Sequence, residues 1–339
     1  MLGQTDVVKN QVISRAALSE LCFLPSVPGE VSSSFTFRSG DAMPYELNFS
    51  VFCTDGENAS PVPSSAEKIK TFADIACFNC LNANDPDGDP VSFRISAYPE
   101  NGLLVLNDPE SGDYSYTPVS GFTGKDFFRY TVTDKYGSKS EAKVSVEVTE
   151  NKNQTFFTDM IGEYGHSEAI IAVDSGIMDF RSEMGKRYFS PDEAITRLDF
   201  LVSAMKSCGY RIATTVSNTS FYDDESIDPK RKGYVSAAVK MGFLDSTDEN
   251  GNRNFRPADP ITYAEASVIL NRILNLPVPV TFNPDPLVPD WASESYSCMS
   301  ANGILPVFGK FRATPERTLD RADAAVLLTR VIDYRRENP

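Results

Sequence analysis

Phe255-Arg256-Pro257-Ala258-Asp259-Pro260-Ile261-Thr262-Tyr263-Ala264-Glu265 decides how this chain is read, because versions of it stand on both sides. Upstream the chain reads Phe189-Ser190-Pro191-Asp192-Glu193-Ala194-Ile195-Thr196-Arg197-Leu198-Asp199. Downstream it reads Phe311-Arg312-Ala313-Thr314-Pro315-Glu316-Arg317-Thr318-Leu319-Asp320-Arg321-Ala322-Asp323. A Gly-apolar pair precedes each copy: Gly176-Ile177, Gly242-Phe243 and Gly303-Ile304, with the glycines 66 and 61 residues apart. A unit met three times at near-constant spacing predicts a repeat architecture.

Each copy ends in a helix start. Thr196, Thr262 and Asp320 are N-cap residues, and Asp199, Glu265 and Asp323 follow three positions on, the spacing of a capping box. Apolar residues then recur at helical spacing, as in Leu201, Ala204 and Met205, or Val326, Leu327 and Val331. Before each Gly-apolar pair lies an earlier helix. Ala169, Ile170, Ala172 and Val173 give one apolar face, and Val235, Ala238 and Val239 another. One such helix pair cannot bury its own apolar face, whereas three together can.

These units resemble S-layer homology repeats. The family pattern runs Phe-x-Asp, an aromatic, Gly-Ile, Phe-x-Pro and Ile-Thr-Arg-Ala-Glu. Phe157, Asp159, Tyr164, Gly176-Ile177, Phe189 and Pro191 carry it in the first copy. Phe221, Asp223, Gly242, Phe255 and Pro257 carry it in the second, and Trp291, Gly303-Ile304, Phe311 and Pro315 in the third. The resemblance covers the chain from Phe157 onward. It implies an all-α, pseudo-threefold bundle of three repeats at residues 155–215, 216–279 and 280–339. It also implies export, hence that the chain is a C-terminal piece of a longer protein.

Lys and Arg number 32 against 47 Asp and Glu, a net charge of −15. That balance argues against general nucleic-acid or anionic-membrane binding, which needs a basic face. Residues 1–150 carry 11 basic and 21 acidic side chains, and residues 151–339 carry 21 and 26. Most basic residues therefore lie where the repeats lie. No apolar run is long enough to span a bilayer, and Arg15 and Glu20 interrupt the only stretch resembling a signal peptide.

The first 150 residues read as β structure. Ser33–Arg38 and Tyr45–Phe52 alternate around a turn at Ser39-Gly40-Asp41, giving a short module at residues 1–63, with Asn58 to Pro63 as a linker. Residues 64–150 hold several short strands with regular turns, which predicts an Ig-like sandwich. Asp-Pro-Asp-Gly-Asp-Pro, Tyr-Thr-Pro and Gly-Phe-Thr-Gly also resemble bacterial cadherin-like modules. The polar run Glu150 to Gln154 joins the β arm to the helices, and a Pro-rich joint at 277–289 separates the second and third copies.

Candidate site residues follow. Arg197 and Arg321 each stand just after an N-cap, where unpaired amides and the positive helix end favour an anion. The resemblance implies that this Arg contacts an acidic, often pyruvylated, cell-wall polysaccharide; otherwise it pairs with its own capping acid. Tyr263 stands at the matching place in the second copy and offers a face for a sugar. Tyr164 and Trp291 are either sugar-stacking aromatics or core. Asp159, Asp223 and Asp290 are either acceptors for sugar hydroxyls or caps of the first helices. Asp85, Asp87 and Asp89, completed by Asp134, form either a calcium loop or an acidic turn. Asp248 to Asn252 reads as a turn. Cys77-x-x-Cys80 is weak as a metal or redox motif and reads first as two strand thiols, with a disulfide partner for Cys22 or Cys53 as the alternative; the six cysteines, Cys208 and Cys298 included, do not form a dense framework. Tyr164-Gly165-His166-Ser167-Glu168 places a His beside a Ser and a Glu, but adjacency in sequence does not build a triad.

The expectation is thus a non-catalytic bacterial surface protein, extracellular and anchored through its repeats to wall polysaccharide, with the β modules as spacer. An adhesin whose β modules bind a surface ligand, with or without calcium, is the alternative.

Overall fold

The computed structural model describes residues 29–37, 45–53, 58–64, 68–212, 215–245, 253–278, 287–306 and 313–338, the first two segments by backbone alone. The turn expected at Ser39-Gly40-Asp41, the turn at Asp248 to Asn252, the Phe311-Arg312 start of the third motif, most of the Pro-rich joint and Cys22 lie outside the described residues. Contacts divide the chain into two units, Met1–Ala59 and Ser60–Pro339. In the first, β1 (Gly29–Phe37) pairs antiparallel with β2 (Tyr45–Cys53) along its whole length.

The second unit opens with a β sandwich. Its strands are β3 (Val62–Pro63), β4 (Lys68–Phe72), β5 (Cys77–Cys80), β6 (Ala83–Asn84), β7 (Val91–Ala97), β8 (Gly102–Leu106), β9 (Asp113–Pro118), β10 (Gly124–Asp134) and β11 (Lys139–Thr149). One sheet has the order β4-β11-β10-β7 and the other β5-β9-β8. β4 runs parallel to β11, and the other pairs are antiparallel. Alternation sets which residues turn inward. Phe128, Tyr130 and Val132 of β10 and Val144, Val146 and Val148 of β11 face Leu104, Tyr114 and Tyr116 in one buried core. The expected linker at Asn58 to Pro63 needs correcting, since Val62–Pro63 pairs with β6 and belongs to this sandwich.

Beyond Glu150 come α1 (His166–Asp174), a hairpin of β12 (Arg181–Glu183) and β13 (Lys186–Tyr188), α2 (Arg197–Ser207), α3 (Lys232–Lys240), α4 (Tyr263–Leu274), α5 (Asp290–Ala301) and α6 (Arg321–Glu337). The hairpin corrects the all-α expectation for this region. The local signals act as their chemistry requires. Thr196, Thr262 and Asp320 each accept a hydrogen bond from the amide three residues on, and α4 and α6 have complete capping boxes. In α2 the box is half made, because the Asp199 carboxylate takes the Thr196 hydroxyl at 2.7 Å and reaches Arg231. α1, α3 and α5 stop alike: Gly176, Gly242 and Gly303 adopt φ of 65°, 75° and 69°. The next amide then turns back to a carbonyl of the helix's last turn, as in Ile177 to Ala172, Phe243 to Ala238 and Ile304 to Met299.

The starts of α2, α4 and α6 close on one another through backbone hydrogen bonds. The Ile195 amide donates to Leu319, Leu319 to Ile261, and Ile261 to Ile195. One step outward, Arg197 donates to Asp259, Tyr263 to Arg317 and Arg321 to Glu193. Each N-terminal turn thereby spends its unpaired amides on the neighbouring segment. The shared core beneath contains Ile195, Leu201, Ile261, Leu270, Leu319 and Leu328. Ile75 and Phe72, both from the sandwich, pack against this same helical core, and Lys70 pairs with Asp333 of α6 at 3.2 Å. The sandwich is therefore docked on the helices.

Candidate anion-binding cleft

Arg321 is the first residue of α6, and its guanidinium is fixed from three sides. Nε donates to the Phe189 carbonyl at 2.7 Å, Nη2 to the Asp179 carbonyl at 2.6 Å, and Nη1 meets the Asp179 carboxylate at 3.3 Å. The Phe189 ring lies 4.8 Å from it, a cation–π contact. Arg197, the first residue of α2, repeats the pattern against the next segment. Its Nε donates to the Phe255 carbonyl at 3.0 Å, and the Phe255 ring lies 5.8 Å away. Its counter-ion differs: Glu265, of the α4 capping box, sits 2.6 Å from Nη1. Arg197 and Arg321 are buried alike, 13% and 14% exposed, yet Glu265 is 20% exposed and Asp179 80%. Burial lowers the Arg197 pKa against the pull of Glu265.

Asp159 and Asp223 do not cap the helices that follow them, which corrects the capping expectation. Asp159 accepts from the amides of Phe189 and Ser190 at 2.9 and 2.7 Å. Asp223 accepts from Phe255 and Arg256 at 2.8 and 2.7 Å. Ser190 and Arg256 sit at φ of 60° and 58°, a left-handed conformation that non-glycine residues adopt at a cost. Each carboxylate thus holds a strained Phe-x-Pro loop, and each loop offers its Phe carbonyl and ring to an arginine. Both carboxylates are spent on amides, so the sugar-acceptor alternative is not carried either. Asp290 is the first residue of α5, with Pro289 at the cap position, so it is not a cap.

Tyr263 is buried, which removes it as a stacking platform for a sugar. Its hydroxyl meets Arg317 at 3.0 Å, Arg317 grips Asp323 in a two-pronged pair at 2.8 and 3.0 Å, and burial pushes the Tyr263 pKa up. Tyr164 adds to this cluster, its pKa raised chiefly by burial, with Asp323 and Asp320 nearby and Arg330 opposing. Asp320 is raised as well, by burial first and then by Asp323. Trp291, by contrast, is half exposed on α5.

A cleft of about 270 Å³ opens beside Arg321. Its wall includes the Gly176–Asp179 turn, Ile195, Val202, Lys206 and Arg231. Lys206, Arg231 and Arg321 face it with Asp179 and Asp199, three cations against two anions. Lys206, Arg231 and Asp179 are not among the residues that the sequence motif marks. One signal was available for Arg231: its neighbour Lys230 falls where the other copies have an aromatic.

The other candidates do not assemble. Asp85 accepts from the amides of Asp87 and Asp89, Lys135 lies 2.6 Å from Asp89, and Asp134 accepts from the amides of Tyr136 and Ser138. These are turn-forming carboxylates, and among the described residues no group of three or more acidic, His or Cys side chains is placed to hold a metal, so the calcium expectation is corrected. Cys77, Cys208 and Cys298 carry free thiols, and Cys80 donates to the Leu81 and Ser111 carbonyls, so Cys77 and Cys80 are the strand thiols expected and not disulfide partners. Burial pushes the Cys77 thiol up to about 12, far from nucleophilic range. Ser167 gives its hydroxyl to Glu168 at 2.8 Å, while the buried His166 Nε2 has no hydrogen-bond partner among the described residues, so the three form no relay. No helix among the described residues is long and apolar enough to cross a membrane.

A family model for the bacterial cadherin-like domain matches residues 56–150, and one for the S-layer homology domain matches residues 220–267. The comparison with curated proteins returned no match. Among solved structures, a nucleoside hydrolase-related protein of Saccharophagus degradans is similar at 19% identity over 27% of this chain and 26% of that one, with a TM-score of 0.24. An endo-fucoidan hydrolase of glycoside hydrolase family 107 is 20% identical over 37% of this chain and 19% of that one, at a TM-score of 0.28. The third cadherin domain of human protocadherin 7 is 16% identical over 30% of this chain and 96% of that one, at 0.23. The chain thus spans about a quarter or less of the length of the first of these structures. A β-rich cadherin-like region, of surface-module type, precedes a helical region whose S-layer homology domain points to association with the cell wall.

Proposed function

We propose that the helical region is three S-layer homology repeats closed around an approximate threefold axis, and that it anchors the chain to an acidic wall polysaccharide through the Arg321 cleft. The ring of backbone hydrogen bonds among the starts of α2, α4 and α6 supports the three-repeat reading. One observation carries the site: a guanidinium at a helix N-terminus opens on a cleft with Arg231 and Lys206, and its only carboxylate partner among the described residues is 80% exposed. A carboxylate on a sugar, such as a pyruvate ketal, meets there a guanidinium already oriented by two carbonyls. The cleft's volume is near the lower end for small-ligand sites, ~300 Å³, which suits one residue of a chain. Of the remaining candidates, the exposed Trp291 keeps a face available to sugar. Arg197, held by Glu265, serves the fold first.

The test is retention of the purified chain on bacterial cell walls before and after the polysaccharide is stripped. Wild-type chain should bind intact walls and not stripped ones, and Arg321→Gln should bind neither. Equal retention on both wall preparations would refute the reading.

A further inference from the structure

Resting on that reading of the cleft, we propose that Asp179 decides which ligands Arg321 accepts, by acting as an internal carboxylate that a ligand's carboxylate must replace. Two of the guanidinium's acceptors, the carbonyls of Phe189 and Asp179, belong to the backbone and stay in place during exchange. The third, Asp179 Oδ1, is the longest contact at 3.3 Å and comes from a side chain that is 80% exposed. An exposed carboxylate gains little from such a pair, because water competes for it, so it turns outward cheaply. The guanidinium, 14% exposed over the Phe189 ring, cannot turn outward in the same way and needs an anion beside it.

Asp199 is different. It is tied to the Thr196 hydroxyl and to Arg231, so it remains in the cleft. Asp228 also pairs with Arg231, at 3.6 Å, so Lys206, Arg231 and Arg321 are matched by Asp179, Asp199 and Asp228 with Asp179 in, and one positive charge is left over with Asp179 out. A ligand bringing one carboxylate restores the balance; a neutral sugar does not. Asp179 thus penalises uncharged glycans and admits carboxylated ones one charge for one charge. The Asp179→Asn variant keeps the backbone carbonyl that orients Arg321 and removes only the competing charge.

The experiment measures binding of the full chain to a soluble carboxylated wall polysaccharide and to its methyl-esterified form by calorimetry. The variants are Asp179→Asn, Arg321→Gln, the double variant, and Glu225→Gln as a control for net charge, since Glu225 is exposed and does not line the cleft. Asp179→Asn should tighten binding of the carboxylated polymer roughly three- to fivefold, the size of one exposed pair at the upper end of its range. Glu225→Gln should change it less than about twofold. The double variant should bind no better than Arg321→Gln, and the ester should show no gain. If Asp179→Asn binds as wild type or worse while Arg321→Gln loses binding, the exchange idea is wrong and the cleft assignment stands. If Arg321→Gln binds as wild type, or the unaltered chain does not bind, the cleft assignment fails and takes the exchange with it. A gain from Asp179→Asn that persists in the double variant is a general charge effect and also overturns the proposal.

Discussion

Arg197 and Arg321 hold the same place in two helices, each donating Nε to a Phe carbonyl, at 3.0 and 2.7 Å, but Arg197 pairs with a shielded Glu265 and Arg321 with an exposed Asp179. The two substitutions should therefore separate. Arg197→Gln removes a shielded charge-assisted contact and leaves the Glu265 carboxylate to Arg256, 3.0 Å away, and to the Thr262 amide, so it should cost about 1.5–3 kcal/mol of stability. Arg321→Gln breaks a pair whose acid returns to water and should cost about 1 kcal/mol. Wall retention should reverse the order, falling with Arg321→Gln and surviving Arg197→Gln below its melting temperature. Denaturant melts alongside the wall assay decide it.

Asp159 and Asp223 make a second matched pair. Each gives both carboxylate oxygens to two amides of a left-handed turn. Replacing either by Ala leaves those amides without their charged acceptor and should cost about 2–3 kcal/mol. Only Asp159→Ala should also weaken polysaccharide binding in the folded protein, because the turn it holds presents Phe189 to Arg321, whereas Asp223 holds Phe255 under Arg197. Asp159→Asn, which retains one acceptor oxygen, should lie between wild type and Ala in both assays.

The helix starts were legible because a capping box is a three-residue event: Thr262 and Glu265, or Asp320 and Asp323, meet wherever the helix begins. The glycine stops were legible for the same reason. The counter-ions were not, since Arg321 and Asp179 are 142 residues apart and meet only because the ring of segments closes. The motif also made Tyr263 look like Arg197 and Arg321, but an aromatic hydroxyl can be satisfied inside by Arg317, and an apolar ring gains by burial. β4 was not legible, because five residues with Ile69 as their one aliphatic side chain give too short a pattern, and the buried inward residue after it is Thr71.

His166 predicts a pH dependence. Burial lowers its pKa to about 4, with Asp159 opposing, and the Phe156 ring packs 5.7 Å away. An unfolded His titrates near ~6.5, so below that pH the unfolded chain takes up a proton that the folded chain refuses. The stability contributed by the neutral imidazole is thus full above pH ~6.5 and declines as pH falls toward 4. The full loss is on the order of 3 kcal/mol, because each tenfold change in proton affinity is worth ~1.4 kcal/mol. His166→Gln should flatten this part of the stability curve, measured by urea midpoints at pH 7 and pH 5. A curve of unchanged slope would show that the imidazole charges without cost.

The last prediction concerns the joint between sandwich and helices. Ile75 lies between β4 and β5 yet is buried in the helical core, with Phe72 beside it and the Lys70–Asp333 pair at the rim. Truncating a buried Ile to Ala removes contacts on both sides of the joint and should cost about 2–5 kcal/mol. Hydrogen exchange should then rise in α1 and α6, which pack against that edge, and not in the β10–β11 pairs of the sandwich core. Cutting the chain at residue 150 removes the plug altogether, so a fragment of residues 151–339 should melt lower than one of residues 60–339. It should also bind a hydrophobic dye that the longer fragment does not. Equal melting of the two fragments would mean that the sandwich adds nothing to the helices, and that its docking against α1 and α6 carries no energy.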